Sequence, residues 1–267
     1  MLSFPLRLHA DLLRARFLQS LRGRAKENLI VRLSPAAAAQ PSAHPHSASS
    51  SGMNSDGELL GMLRASAAPI VWIGGSEPFA QPAIGNLARR IADSGYTVFV
   101  ETDGVLLRRR IHEFRPVSRL FITVRFHGPE HVHDLRSGQS GVFRAAVEGI
   151  RTAKLSGFLI CAHALIDEQT RLEDIAQLKE YLAALDADGF LVSAAPDAAN
   201  TAKRGSDSSR SKVSEARKLI ANAGWERLSR LLDSQPAPAP DCEENAGEPH
   251  PPQVHEKRAR EESVRVS

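Results

Sequence analysis

Residues 70–104 read IVWIGGSEPFAQPAIGNLARRIADSGYTVFVETDG. An apolar run of strand length closes on Gly74 and Gly75, a helical stretch follows, and Gly95 separates that stretch from a second apolar run. Short apolar runs bounded by turn residues predict strands, and the 3.6-residue spacing of AIGNLARRIADSG predicts a helix between them. Gly95 falls where a helix ends most easily in a left-handed residue. A strand, a helix and a strand of these lengths predict a parallel pair joined by a right-handed crossover.

The same alternation extends in both directions. Further apolar runs are LIVRL (29–33), LFITVRF (120–126), FLICAHAL (158–165) and GFLVS (189–193). Helical stretches SDGELLGMLRAS, VFRAAVEGIRTAKLSG and RLEDIAQLKEYLAALDADG separate them, with Gly157 and Gly189 at expected helix ends. Ser55 and Glu58 form a capping box ahead of Leu59, Leu60 and Leu63. Residues 29–196 therefore predict an α/β unit of six strands, which can curl into a partial barrel or lie open as a doubly wound sheet. The spacing leaves both open.

Residues 1–28 predict a basic amphipathic helix with Leu6, Leu13, Phe17 and Leu21 on one face. Such a helix either packs across the domain, the preferred reading, or lies on an anionic membrane through residues 1–25. Residues 197–211 read as a polar linker, 212–233 as one further helix, and 234–267, rich in Pro and charge, as a disordered tail.

Composition narrows the function classes. With 42% hydrophobic and 24% charged residues, the 267-residue chain can build a core. A net charge of +3 does not suggest a dedicated nucleic-acid binder. No apolar run reaches the roughly 20 residues that cross a bilayer, and the N-terminus lacks the h-region of a secretory signal. The expected compartment is the cytoplasm, with peripheral membrane contact as the variant. The two cysteines, Cys161 and Cys242, suggest neither a disulfide framework nor a thiolate metal site.

In parallel α/β folds ligands sit at the C-terminal strand ends. Four segments have chemistry-bearing residues that place there or nearby. Gly74–Pro78 offers backbone that a ligand can approach and the Glu77 carboxylate for an ammonium group. Glu101–Gly104 offers Thr102 and Asp103, though Thr-Asp-Gly is also an ordinary turn. Arg125–Asp134, RFHGPEHVHD, crowds three histidines and an aspartate into what reads as a loop, where no metal geometry follows. His44 and His46, amid Ala, Ser and Pro, read as solvated loop histidines.

Taken in order, these segments resemble the radical S-adenosylmethionine (radical SAM) superfamily, and within it the group that includes hopanoid-biosynthesis enzymes. IVWIGGSEPF is similar to its Gly-Gly-Glu-Pro strand end, VFVETDGVLL to its Thr-Asn-Gly strand end, and VRFHGPEHVHDLRSGQSGVFRAAVEGIRTAKLSGF to its Leu-Asp-Gly-Pro, His-Asp and Lys-x-x-Gly passage. The resemblance runs from about Phe4 to Pro196 and implies a partial (β/α)6 barrel. It also implies an S-adenosylmethionine site at Gly74, Gly75, Ser76, Glu77, Thr102 and Asp103, with Arg125 and His127 at the same mouth.

The departures are as informative. Where the family carries Cys-x3-Cys-x2-Cys after the first strand, this chain places Ala39, Ala43 and His46 in the loop 34–54. Such a 4Fe–4S cluster needs thiolates, so the resemblance implies a barrel without the cluster and without the radical reaction. Ser76 interrupts Gly-Gly-Glu-Pro, Asp103 replaces Asn, and His127 replaces Asp. The expected role is a binding or regulatory pseudoenzyme, with an intact homologue or another protein as the expected partner. Two alternatives stand beside it: polar chemistry at His127, His133 or Asp134 in a retained pocket, and a membrane-surface partner of lipid metabolism.

Overall fold

The computed structural model describes residues 4–21, 28–34, 56–197, 200–204, 207–220 and 222–234. Six strands form one parallel sheet in chain order: β1 (Ile30–Leu33), β2 (Ile70–Ile73), β3 (Thr97–Thr102), β4 (Leu120–Phe126), β5 (Leu159–Ile166) and β6 (Gly189–Ala194). Each matches its predicted run to within one residue. Between them lie helices α2 (Asp56–Ser66), α3 (Ile84–Asp93), α4 (Leu107–Arg110), α5 (Glu130–Ser137), α6 (Val142–Leu155) and α7 (Leu172–Ala184), and α1 (Leu6–Leu21) precedes β1. The sheet curls, which decides between the two architectures: the fold is a partial (β/α)6 barrel.

A parallel strand covered on both faces reads as continuous apolar sequence, and β2, β3 and β6 are buried at every position. The outer face, with Val124 and Phe126, packs on the helices: Phe126 meets Phe143 of α6 with ring centroids 5.6 Å apart. The inner face begins with an aromatic ladder. Trp72 stacks on Phe99 at 5.3 Å, Phe99 stacks on Phe121 at 4.9 Å, and Trp225 meets Phe121 edge-on at 6.0 Å. Phe4 closes on Trp225 from the N-terminal segment at 5.0 Å.

The C-terminal part departs from expectation. In place of a linker over 197–211, Pro196–Asp197 pairs antiparallel with Asn200–Arg204 (β7 and β8), and α8 (Asp207–Lys218) begins soon after. A polar ribbon held by backbone bonds leaves no apolar pattern to read. The single helix expected over 212–233 is two, because Asn222 caps α9 (Ala223–Asp233): its Oδ1 accepts from the Gly224 N–H at 2.9 Å and the Trp225 N–H at 3.4 Å.

Helix α9 spans the open side of the barrel. Its Ser229 hydroxyl accepts from Val192 N–H at 3.1 Å and its Asp233 carboxylate from Ala194 N–H at 3.1 Å, which satisfies the free edge of β6. Its other flank reaches β1, where the Arg32 guanidinium donates to the Leu232 carbonyl at 3.2 Å. Gly189 serves this closure rather than ending a helix: a Cβ there would lie 2.5 Å from the Trp225 ring. The left-handed residue after α7 is Asp186, at φ 60°. Gly95 and Gly157 do follow helices with φ of 96° and 82°.

Two further expectations change. Helix α1 packs on the domain, but through Leu8, Leu12 and Ala15; the stripe of Leu6, Leu13, Phe17 and Leu21 faces outward. RFHGPEHVHD is not a loop throughout, since Glu130–Ser137 is helical between Pro129 at φ −60° and the left-handed Gly138. Ser55 of the expected capping box, the loop residues Ala39, Ala43, His44 and His46, and the tail 235–267 lie outside the described residues.

Candidate functional site

At the C-terminal end of β2 the chain must pass over Trp72 and Glu101. A Cβ on Gly74 would come 3.0 Å from Glu101 Oε2 and 3.3 Å from the Trp72 indole nitrogen, so a side chain there would press on both groups. Gly75 takes φ 110°. Glu77 then turns its carboxylate back onto the strand ends. Its Oε1 accepts from Phe79 N–H at 2.9 Å and from the Thr102 hydroxyl at 2.7 Å, and its Oε2 accepts from Asp103 N–H at 2.9 Å. These bonds cap the short turn Pro78–Ala80 and lash β2 to β3. Burial, with the Asp103 charge beside it, raises the Glu77 carboxyl above its ordinary range, against the hydrogen bonds that lower it. Oε2 carries a single bond and keeps accepting capacity.

Thr102 and Asp103 also complete the turn. Thr102 Oγ1 accepts from Gly104 N–H at 3.0 Å and Asp103 Oδ1 from Val105 N–H at 2.9 Å. The turn reading of this segment is the one these bonds describe. The turn bonds hold Asp103 beside Glu77, and Ser76 is exposed on the same rim.

Below the rim lies a polar group that the sequence reading did not assemble. Glu101 on β3 bonds His163 Nδ1 on β5 at 2.7 Å through Oε1 and accepts from Trp72 Nε1 at 3.2 Å through Oε2. His163 Nε2 lies 2.6 Å from the Ser193 hydroxyl on β6. All three are buried. Burial alone would raise the Glu101 carboxyl, but the His163 hydrogen bond and charge, Arg125 and Trp72 outweigh it and hold the group at about 2. The ionised carboxylate accepts only, so His163 Nδ1 carries a proton toward it, and Nε2 lies within hydrogen-bond reach of the Ser193 hydroxyl. The signal for this group was available: Glu101, His163 and Ser193 are polar residues set within buried, largely apolar strands.

Arg125 on β4 pairs in register with His163 and is half-buried. Its charge reaches Glu101 and His127. Among the described residues its guanidinium has no hydrogen bond or ion pair.

The histidines and Asp134 sort differently. Burial, then His133, Arg136 and Arg125, lowers His127 to about 4, so its ring is neutral near pH 7. His133 sits on the outer side of β4 against Phe126 and Phe143, its Nδ1 accepting the His127 N–H at 3.2 Å. Asp134 is occupied: its two oxygens accept from Phe143 N–H at 2.9 Å and Gly141 N–H at 2.6 Å, capping α6. These bonds lower its carboxyl. His131 is exposed. Among the described residues no cluster of three or more His, Cys, Asp or Glu is placed to hold a metal ion.

No family model and no curated protein matches the chain. Solved structures match its fold. The crystal structure of Streptococcus suis SuiB bound to precursor peptide SuiA is similar over 72% of this chain and 45% of that chain, at 12% identity and TM-score 0.50. SuiB bound to S-adenosylmethionine is similar over 59% and 38%, at 13% identity and TM-score 0.45. A structure of TYW1 with a lysine–pyruvate adduct bound is similar over 59% and 51%, at 16% identity and TM-score 0.43. This chain thus spans about half or less of the solved structures it matches. The likeness concerns the fold, which is a radical SAM-like partial barrel.

Proposed function

We propose that this chain binds S-adenosylmethionine, or a ligand with the same ammonium and carboxylate pair, at the barrel mouth without running the cluster-dependent radical reaction. The observation that carries the binding half is the mixed charge of the mouth: Glu77 and Asp103 on the rim, and Arg125 below it with no hydrogen bond or ion pair among the described residues. Glu77, supported by Thr102 and Asp103, would take the ammonium group, and Arg125 the carboxylate. Gly75 and Ser76 offer backbone beside them, and His127 adds a neutral ring.

The other half rests on cysteine chemistry. A cluster held by three thiolates needs three cysteines, and the sequence has two. Cys161 lies in the middle of β5, wholly buried, where burial first and then Asp188 and Glu101 push its thiol well above the ordinary value. The residues present therefore do not fit the cluster. The group's loss turns the barrel toward binding or regulation, and a partner that retains the cluster is one context for it.

Calorimetric titration of the purified chain with S-adenosylmethionine tests the reading. Saturable binding that weakens in Glu77→Gln supports it; heats no different from buffer in the millimolar range overturn it. Anaerobic reconstitution with iron and sulfide tests the second half, since stoichiometric iron, or 5′-deoxyadenosine formed on reduction, would exclude a pseudoenzyme.

A further inference from the structure

We infer that the outward face of α1 is a docking surface for an anionic lipid bilayer. The helix carries two apolar stripes on opposite sides. Leu8, Leu12 and Ala15 are buried against the domain. At the opposite angle, successive residues being about 100° apart, stand Leu6, Leu13, Phe17 and Leu21, which are 87%, 49%, 64% and 68% exposed. Ala10 continues the stripe between them. A contiguous row of large apolar side chains left in water marks a contact surface.

The borders of the stripe say what covers it. By the same helical angles, Arg7 and Arg14 flank it on one side and His9 and Arg16 on the other. The acid of the helix, Asp11, is turned away and pairs with Arg119 at 2.6 Å. An apolar stripe between cationic borders suits a helix lying in the headgroup region of an anionic bilayer, where the apolar side chains sink and the basic ones meet lipid phosphates. A second copy of the chain suits it less well. A symmetric helix pair would set the cationic borders of both copies side by side, with Asp11 already engaged.

The position of α1 keeps such a contact clear of the mouth. Arg7 donates to Ser118 at 3.3 Å and Asp11 holds Arg119, both just ahead of β4 and so at the N-terminal end of the strands. The contact would lie on the surface rather than cross it, because no described helix is long and apolar enough to span a membrane.

The test is co-sedimentation of the full chain with phosphatidylcholine vesicles and with vesicles of phosphatidylcholine mixed with phosphatidylglycerol. The expected result is binding to the anionic vesicles that falls with added salt. In the variant carrying Leu13→Ser and Phe17→Ser the affinity falls at least about tenfold, and Arg14→Glu also weakens it. Those side chains are exposed, so an unchanged thermal transition in each variant shows that the fold is kept. Absence of binding to the anionic vesicles overturns the inference, as does equal binding by the Leu13, Phe17 variant. So does sedimentation equilibrium showing a dimer that this variant dissolves, since a second copy would then cover the stripe.

Discussion

Glu101 Oε1 and His163 Nδ1 lie 2.7 Å apart although their strands, β3 and β5, are separated by β4. In a flat sheet strands two apart are roughly 9–10 Å distant. The curl of the barrel brings the two side chains together across Thr123, which pairs in register with Glu101 and with Cys161. This contact has a consequence for acid stability. A carboxyl held at about 2 in the fold, against 4.5 as its ordinary value, stabilises the fold fully above about 4.5. That contribution, of up to about 3 kcal/mol, is lost as pH falls from there toward 2. Denaturant unfolding followed across this range should show a steep loss of stability. Glu101→Gln should flatten the slope while lowering stability near neutrality, and an unchanged slope would contradict the assignment.

Arg125 gives the proposed ligand its carboxylate contact, so its loss should be selective. Arg125→Met should weaken S-adenosylmethionine by about tenfold or more, the scale of a charge-assisted hydrogen bond. Decarboxylated S-adenosylmethionine, which has no group for Arg125 to hold, should bind the wild type and the variant alike. Equal weakening of both ligands would mean that Arg125 shapes the barrel instead.

Asp134 separates the two functional readings of the histidine-rich passage. Its carboxylate caps α6 through Gly141 and Phe143, so Asp134→Ala should lower the thermal midpoint and leave ligand affinity unchanged. A variant of unaltered stability that had lost a measurable turnover would restore the aspartate to a chemical role.

The strands were legible because buried parallel strands are long apolar runs, and TVFVET and LFITVRF were placed to the residue. The rim was legible in composition, since Gly74, Glu77, Thr102 and Asp103 do meet at adjoining strand ends. What sequence could not show is direction. Helix α1 has apolar residues on two opposite faces, and periodicity alone does not say which one packs. His133 and Asp134 look alike on paper as acid–base candidates, yet one points into an aromatic cluster behind β4 and the other ends a helix. Glu101, His163 and Ser193 are 62 and 30 residues apart, and the curl of the sheet alone joins them.

The closure of the barrel by α9 offers the sharpest packing test. Trp225 fills the space left by Gly189, and the ring carbons would lie 2.5 and 2.6 Å from a Cβ at that position. Gly189→Ala should therefore cost about 1–3 kcal/mol through overpacking, although alanine suits a strand better than glycine does. Trp225→Leu should cost about as much by opening a cavity beside Phe121 and Phe4. Combined, the two changes relieve one another, because the smaller side chain makes room for the added methyl group. The double variant should accordingly be more stable than the sum of the single losses implies, by at least about 0.5 kcal/mol in a double-mutant cycle. Strict additivity would show that α9 does not seat Trp225 against β6, and the open side of the barrel would then lack its cover.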